Sequence, residues 1–152
     1  MWPRRFFTVL FWAVLAAALH GETPLDARYD KVAVEPVKTS IFIGYVKLTA
    51  PVFTRTRAGY VSAYDASVFP FFFWDERGKM TIEISDDDLR RAARGETVLF
   101  KGRAENSDGG TRPIVGRAVP QDATRGKLKV RVFVSSRIQL IFNTTYRFVG
   151  GP

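Results

Sequence analysis

The feature that most restricts how this chain folds is a two-residue alternation running through its second half. Leu128, Val130, Val132 and Val134 share one parity, and Lys127, Lys129 and Arg131 take the other. Side chains of a strand point alternately to opposite faces, so the pattern describes a sheet with one dry and one wet side. After Ser135-Ser136, a second run places Ile138, Leu140, Phe142, Thr144, Tyr146 and Phe148 opposite Arg137, Gln139, Ile141, Asn143, Thr145 and Arg147. Thr97 to Glu105 alternates as well, and Thr111 to Val119 returns after the loop Asn106-Ser107-Asp108-Gly109-Gly110 as the second strand of a hairpin. That loop is rich in residues that tolerate turn geometry.

The first half gives shorter strand signals. Ser40 to Leu48 is apolar at both parities, as expected of a central strand. Tyr60 to Tyr64 and Val68 to Trp74 are two further strand candidates, with Pro70 limiting how the second pairs. Asp75-Glu76-Arg77-Gly78 has hairpin-turn composition, and Lys79 to Ile84 alternates as a half-buried strand. One segment has a different period. Ser85 precedes three aspartates, Leu89, Ala92 and Ala93 fall at helical spacing, and Gly95 follows, which predicts a capped helix over 85–94. About eight or nine short strands and one helix describe a mainly β chain: an antiparallel β-sandwich or a small β-barrel-like domain over residues 31–149. No internal repeat or second domain is visible.

Residues 1–18 have the form of a secretory signal peptide. Arg4 and Arg5 precede an uncharged run from Phe6 to Leu19, and Ala16 and Ala18 supply the small residues that a signal peptidase needs. The cut is expected after Ala18 and at the latest after Gly21, leaving a polar leader over 19–30 and no stable transmembrane segment. The chain has no cysteine. Disulfides, thiolate chemistry and a lipid-modified N-terminal cysteine are therefore excluded, so the expected product is not a lipoprotein. A disulfide-free exported domain fits the bacterial periplasm or cell exterior.

The only histidine is His20, at the leader. Triads, histidine-ligated zinc and imidazole acid–base catalysis are accordingly not expected. No catalytic residue, cofactor or metal is assigned. Asp86-Asp87-Asp88 carries oxygens suited to calcium, but a helix start explains all three acids. Asp65, Asp75, Glu76 and Glu83 are the carboxylates from which a hydrolase would have to be built, and this is a second alternative.

Two stretches suggest an interaction surface. In the densest aromatic run, a strand would send Phe69, Phe71 and Phe73 to one face and Phe72 and Trp74 to the other. The cations Lys127, Lys129 and Arg131 form a basic stripe. From Lys101 onward, ten Lys or Arg face three acids, Glu105, Asp108 and Asp122. The expected partners are an envelope protein or an anionic envelope polymer, with no nucleic acid because of export. The function expected is that of a non-catalytic binding or assembly component of the envelope. Finally, Phe142-Asn143-Thr144-Thr145-Tyr146-Arg147-Phe148 resembles the closing strand of outer-membrane β-barrels, which ends in an aromatic residue, although Val149-Gly150-Gly151-Pro152 follow here. That resemblance implies a small outer-membrane barrel as the first alternative.

Overall fold

The computed structural model describes residues 24–151. The expected signal peptide, its cleavage site and His20 lie outside the described residues. The strands are β1 (Lys31–Val34), β2 (Val37–Ser40), β3 (Tyr45–Thr49), β4 (Val52–Thr56), β5 (Gly59–Phe69), β6 (Glu76–Glu83), β7 (Val98–Asn106), β8 (Thr111–Pro120), β9 (Arg125–Phe133) and β10 (Gln139–Phe148), with α1 (Asp86–Ala93) between β6 and β7. They follow the order β2-β3-β5-β4-β1-β10-β9-β8-β7-β6, and a further β5–β6 pairing closes the sheet.

Ten strands make only eight staves, because two staves are broken. Lys31 faces Thr54 and Val37 faces Leu48. Six residues forward on one side match six backward on the other, so β1 and β2 continue one another across Glu35-Pro36. Against β5, however, Thr54 faces Val61 while Thr49 faces Asp65. That is five residues against four, a one-residue bulge at Ala50-Pro51. Proline lacks the N–H a ladder needs, and bulges bend strands, so both breaks fall where a closing sheet has to curve. The result is a closed, eight-stranded, antiparallel barrel with each stave beside its sequence neighbours.

Parity decides what the barrel holds. Val132, Phe142, Ile114, Ala118, Met80, Tyr60, Tyr64, Val98 and Phe100 all turn inward and are buried. Lys127, Lys129 and Arg131 turn outward, as the alternation requires. Gly116 faces inward beneath Phe100, whose ring lies where a Cβ would sit, 2.2 Å from its nearest carbon.

The two ends differ. At one, α1 closes the barrel. The Ser85 hydroxyl accepts from the Asp88 amide at 3.1 Å and the Asp88 carboxylate accepts from the Ser85 amide, which completes a capping box. Asp86 is paired with Arg55 of β4, fixing the helix to the wall. Leu89, 2% exposed, enters the core with Ala92, and its burial contributes about 2 kcal/mol. A 3-10 turn over Ala27–Asp30 adds Tyr29, whose carbonyl accepts from the Tyr60 hydroxyl. The stretch before Lys31 is therefore more than a polar leader, since its last residues plug this end.

Three local expectations are corrected. Ser40 to Leu48 is not one strand: Gly44, at φ +102°, and an Ile41 N–H to Gly44 carbonyl bond of 3.1 Å turn it into the β2–β3 hairpin. Tyr60–Tyr64 and the start of the aromatic run belong to a single strand, β5, which stops at Phe69 ahead of the donorless Pro70. Asp75 to Gly78 is not the turn, because β6 already begins at Glu76.

Candidate functional site

The other end of the barrel is open. An opening of about 1210 Å³ descends from the β2–β3, β5–β6, β7–β8 and β9–β10 connections toward the middle of the barrel. Val46, Leu48, Ala66, Val68, Val132, Val134 and Leu140 form apolar walls, and its floor reaches Met80 and Phe142. Leu48, Met80 and Phe142 also line a small apolar chamber of about 120 Å³ above the closed end. These three side chains thus separate the opening from the packed core.

The strands bring one polar group inward at the mouth. Glu76 begins β6, Arg112 stands near the start of β8, and Tyr64 and Asn106 lie on β5 and β7. The Glu76 carboxylate accepts from the Tyr64 hydroxyl at 2.5 Å, from Arg112 at 3.0 Å and from Asn106 at 3.2 Å. Arg112 also donates to the Val134 carbonyl at 2.8 Å, so it bridges the mouth to the end of β9. Partial burial opposes the charge on Glu76, yet the bonds from Tyr64, Arg112 and Asn106 outweigh it and hold the carboxyl below its ordinary range. Burial, then the bond to Glu76, pushes the Tyr64 hydroxyl well above the usual tyrosine range. Glu76 is therefore an ionised acceptor already occupied by three donors.

The aromatic run sits on the rim of this opening. Phe72–Trp74 forms a 3-10 turn, held by a 2.7 Å bond from the Val68 amide to the Asp75 carboxylate. In this turn the strand alternation expected for Phe69, Phe71, Phe73 and Trp74 does not apply. Phe71 is half-buried and packs on Trp74, with ring centroids 4.8 Å apart, while Phe69, Phe72, Phe73 and Trp74 are all exposed. Phe42, Ile43 and Ile138 are exposed on two neighbouring connections.

The basic stripe is elsewhere. Lys127, Lys129 and Arg131 lie on the outer wall, where Lys129 directly faces Arg117 and Arg131 faces Val115. Lys101, Arg117, Lys129 and Arg131 border a shallow groove with exposed Leu99 and Val115. None of these cations takes part in the ion pairs found among the described residues, which engage other arginines. The two groups singled out from the sequence are thus not one surface: the aromatics stand on one side of the mouth, at the β5–β6 connection, and the cations line the outer wall of β7–β9.

No protein-family model, curated protein or solved structure matches this chain.

The carboxylates considered for hydrolysis are dispersed. Asp65 and Glu83 point outward and pair with Arg77 and Arg103, Asp75 secures the rim turn, and only Glu76 faces the interior. Asp86, Asp87 and Asp88 are each engaged, with Arg55, Arg90 and the Ser85 cap. Sequence reasoning missed the mouth cluster because it placed Glu76 in a turn. Parity would have found it, since Glu76 is in step with inward Met80 and Arg112 with inward Ile114.

Proposed function

We propose that this protein is an exported, non-catalytic binding barrel of the bacterial envelope that takes a small, largely apolar molecule into its interior. The observation that carries this reading is the opening of about 1210 Å³ with apolar walls and a single polar cluster at its mouth. Ligand sites are typically concave and mostly apolar, with a few convergent polar groups. An eight-stranded barrel is wide enough for side chains alone or for one small ligand. Here side chains fill the closed half apart from the small chamber of about 120 Å³ and leave the open half free. The ligand's apolar body would lie against Val46, Ala66, Val132 and Leu140, with a polar end near Tyr64, Asn106 and Arg112.

Two features favour binding over the alternatives. A bilayer-spanning barrel needs an apolar outer band, whereas the outward mid-strand positions here include Lys101, Lys129 and Arg131. A carboxylate hydrolase needs a second acid facing the first across a cleft, whereas Glu76 has three donors around it and stays ionised.

The reading is tested by titrating the protein with a fluorescent long-chain fatty acid. Saturable binding of one molecule per barrel is expected. Ala66→Trp and Val134→Trp, from opposite staves and both directed into the opening, should each weaken uptake at least tenfold while the far-ultraviolet circular dichroism stays unchanged. Uptake that neither substitution alters, or no saturable uptake at all, overturns the proposal.

A further inference from the structure

The exposed apolar side chains are unevenly distributed. Phe42, Ile43, Phe72, Phe73, Trp74 and Ile138 stand on three connections at the open end, and Phe42 is fully exposed. Two of these tips, residues 41–44 and 69–74, contain no charged residue. They are built to protrude. A Cβ at Gly44 would lie 1.8 Å from the Phe69 carbonyl oxygen, so the two tips support each other backbone to backbone. The Tyr45 and Phe69 rings stack at 5.4 Å beneath them. A single-sided apolar end of this kind is uncommon on a soluble surface and marks an interaction site.

We infer that this rim seats on an anionic lipid bilayer, with the mouth turned toward the lipid. Two observations select this occupant. First, the rim borders an opening on three of its four connections rather than forming a flat face, so an apolar molecule can pass from lipid to barrel along that side. Second, charge complements it. Arg137 stands beside Ile138 on the third tip without an ion pair among the described residues, Lys38 lies 4.6 Å from the Tyr45 ring centroid just below the rim, and the chain from Leu19 onward holds 21 basic against 15 acidic residues. Cations next to exposed aromatic and apolar side chains are a pattern of interfacial anchors on anionic bilayers. The inference deepens the binding reading by naming where the ligand is exchanged.

The barrel closes entirely within residues 24–151, so the chain from Leu19 onward retains the whole fold. In that chain Trp74 is the only tryptophan. On vesicles of mixed phosphatidylglycerol and phosphatidylcholine, its emission should shift to the blue and be quenched by brominated acyl chains. The combined Phe42→Ser, Phe72→Ser and Ile138→Ser variant alters only exposed positions and should sediment with these vesicles at least tenfold more weakly. Absence of quenching, or sedimentation that the triple variant leaves unchanged, overturns the inference. So does a dimer abolished by the same substitutions without vesicle binding, which would assign the rim to a second copy. Ala66→Trp keeps the two readings apart. It should lose fatty-acid uptake and still sediment with vesicles; uptake without vesicle binding in the unaltered protein defeats the rim inference alone.

Discussion

Glu76 occupies a position where burial and hydrogen bonding act in opposite directions, and bonding prevails. Its carboxyl is held below the ordinary glutamate value of 4.5 by Tyr64, Arg112 and Asn106. A carboxyl whose folded pKa is lowered stabilises the fold fully above its unfolded value, and that contribution drains away as pH falls through the folded value. Its loss therefore belongs below about pH 4.5. Glu76→Gln removes the charge that Arg112 leans on at 3.0 Å. Both side chains keep some solvent contact, so the expected cost at pH 7 is about 1 kcal/mol rather than that of a fully buried pair. Thermal melts of both proteins between pH 7 and pH 3 check this. The gap between them should narrow as the pH falls below about 4.5 and the wild type begins to protonate, and a gap that widens instead would mean that Glu76 does not carry the effect.

At the scale of elements, β8 and β9 raise a question that the closed sheet sharpens. Basic strand faces commonly protect sheet edges from aggregation, but a closed barrel has no edge to protect. Arg117 and Lys129 nevertheless sit directly opposite each other with no acid to separate them. Like charges at such positions cost stability. Lys129→Glu should turn repulsion into attraction and raise stability by about 0.5 kcal/mol, while weakening retention on an immobilised polyanion. A denaturant melt that moves the other way would show that the facing cations do not repel. These strands were legible because their alternation is unbroken and each returns through a polar loop. The β2–β3 hairpin was not, since Ile41-Phe42-Ile43 has the composition of a buried strand and only Gly44 signals that the chain reverses. The rim turn was misread for a related reason. Aromatic content suggested strand, whereas the lost donor at Pro70 and the Asp75 bond to Val68 set the actual conformation.

For the whole molecule, alternation separates wet from dry but says nothing about whether the dry faces meet as two sheets or as one closed sheet. Closure depends on the β5–β6 ladder, which pairs seven consecutive positions from Tyr60–Ile82 to Ala66–Glu76, and on the bulge at Ala50-Pro51. Neither leaves a pattern in composition. The same closure gives the molecule two unlike halves on the same strands. Tyr60 on β5 lies in a core sealed by Leu89 and Tyr29, while Ala66 and Val68, further along, border the opening. Local opening is cheapest where few apolar contacts cover the backbone. Amide exchange along β5 should therefore be slowest near Tyr60 and quicken toward Val68, with a parallel gradient on β6 from Ile82 to Glu76. A bound apolar molecule adds contacts only above Met80 and Phe142, so it should slow the fast half and leave the slow half unchanged. Uniform protection along β5, or a ligand effect strongest near Tyr60, would mean that the empty half is as tightly held as the filled one, and the interior would then have no room to bind.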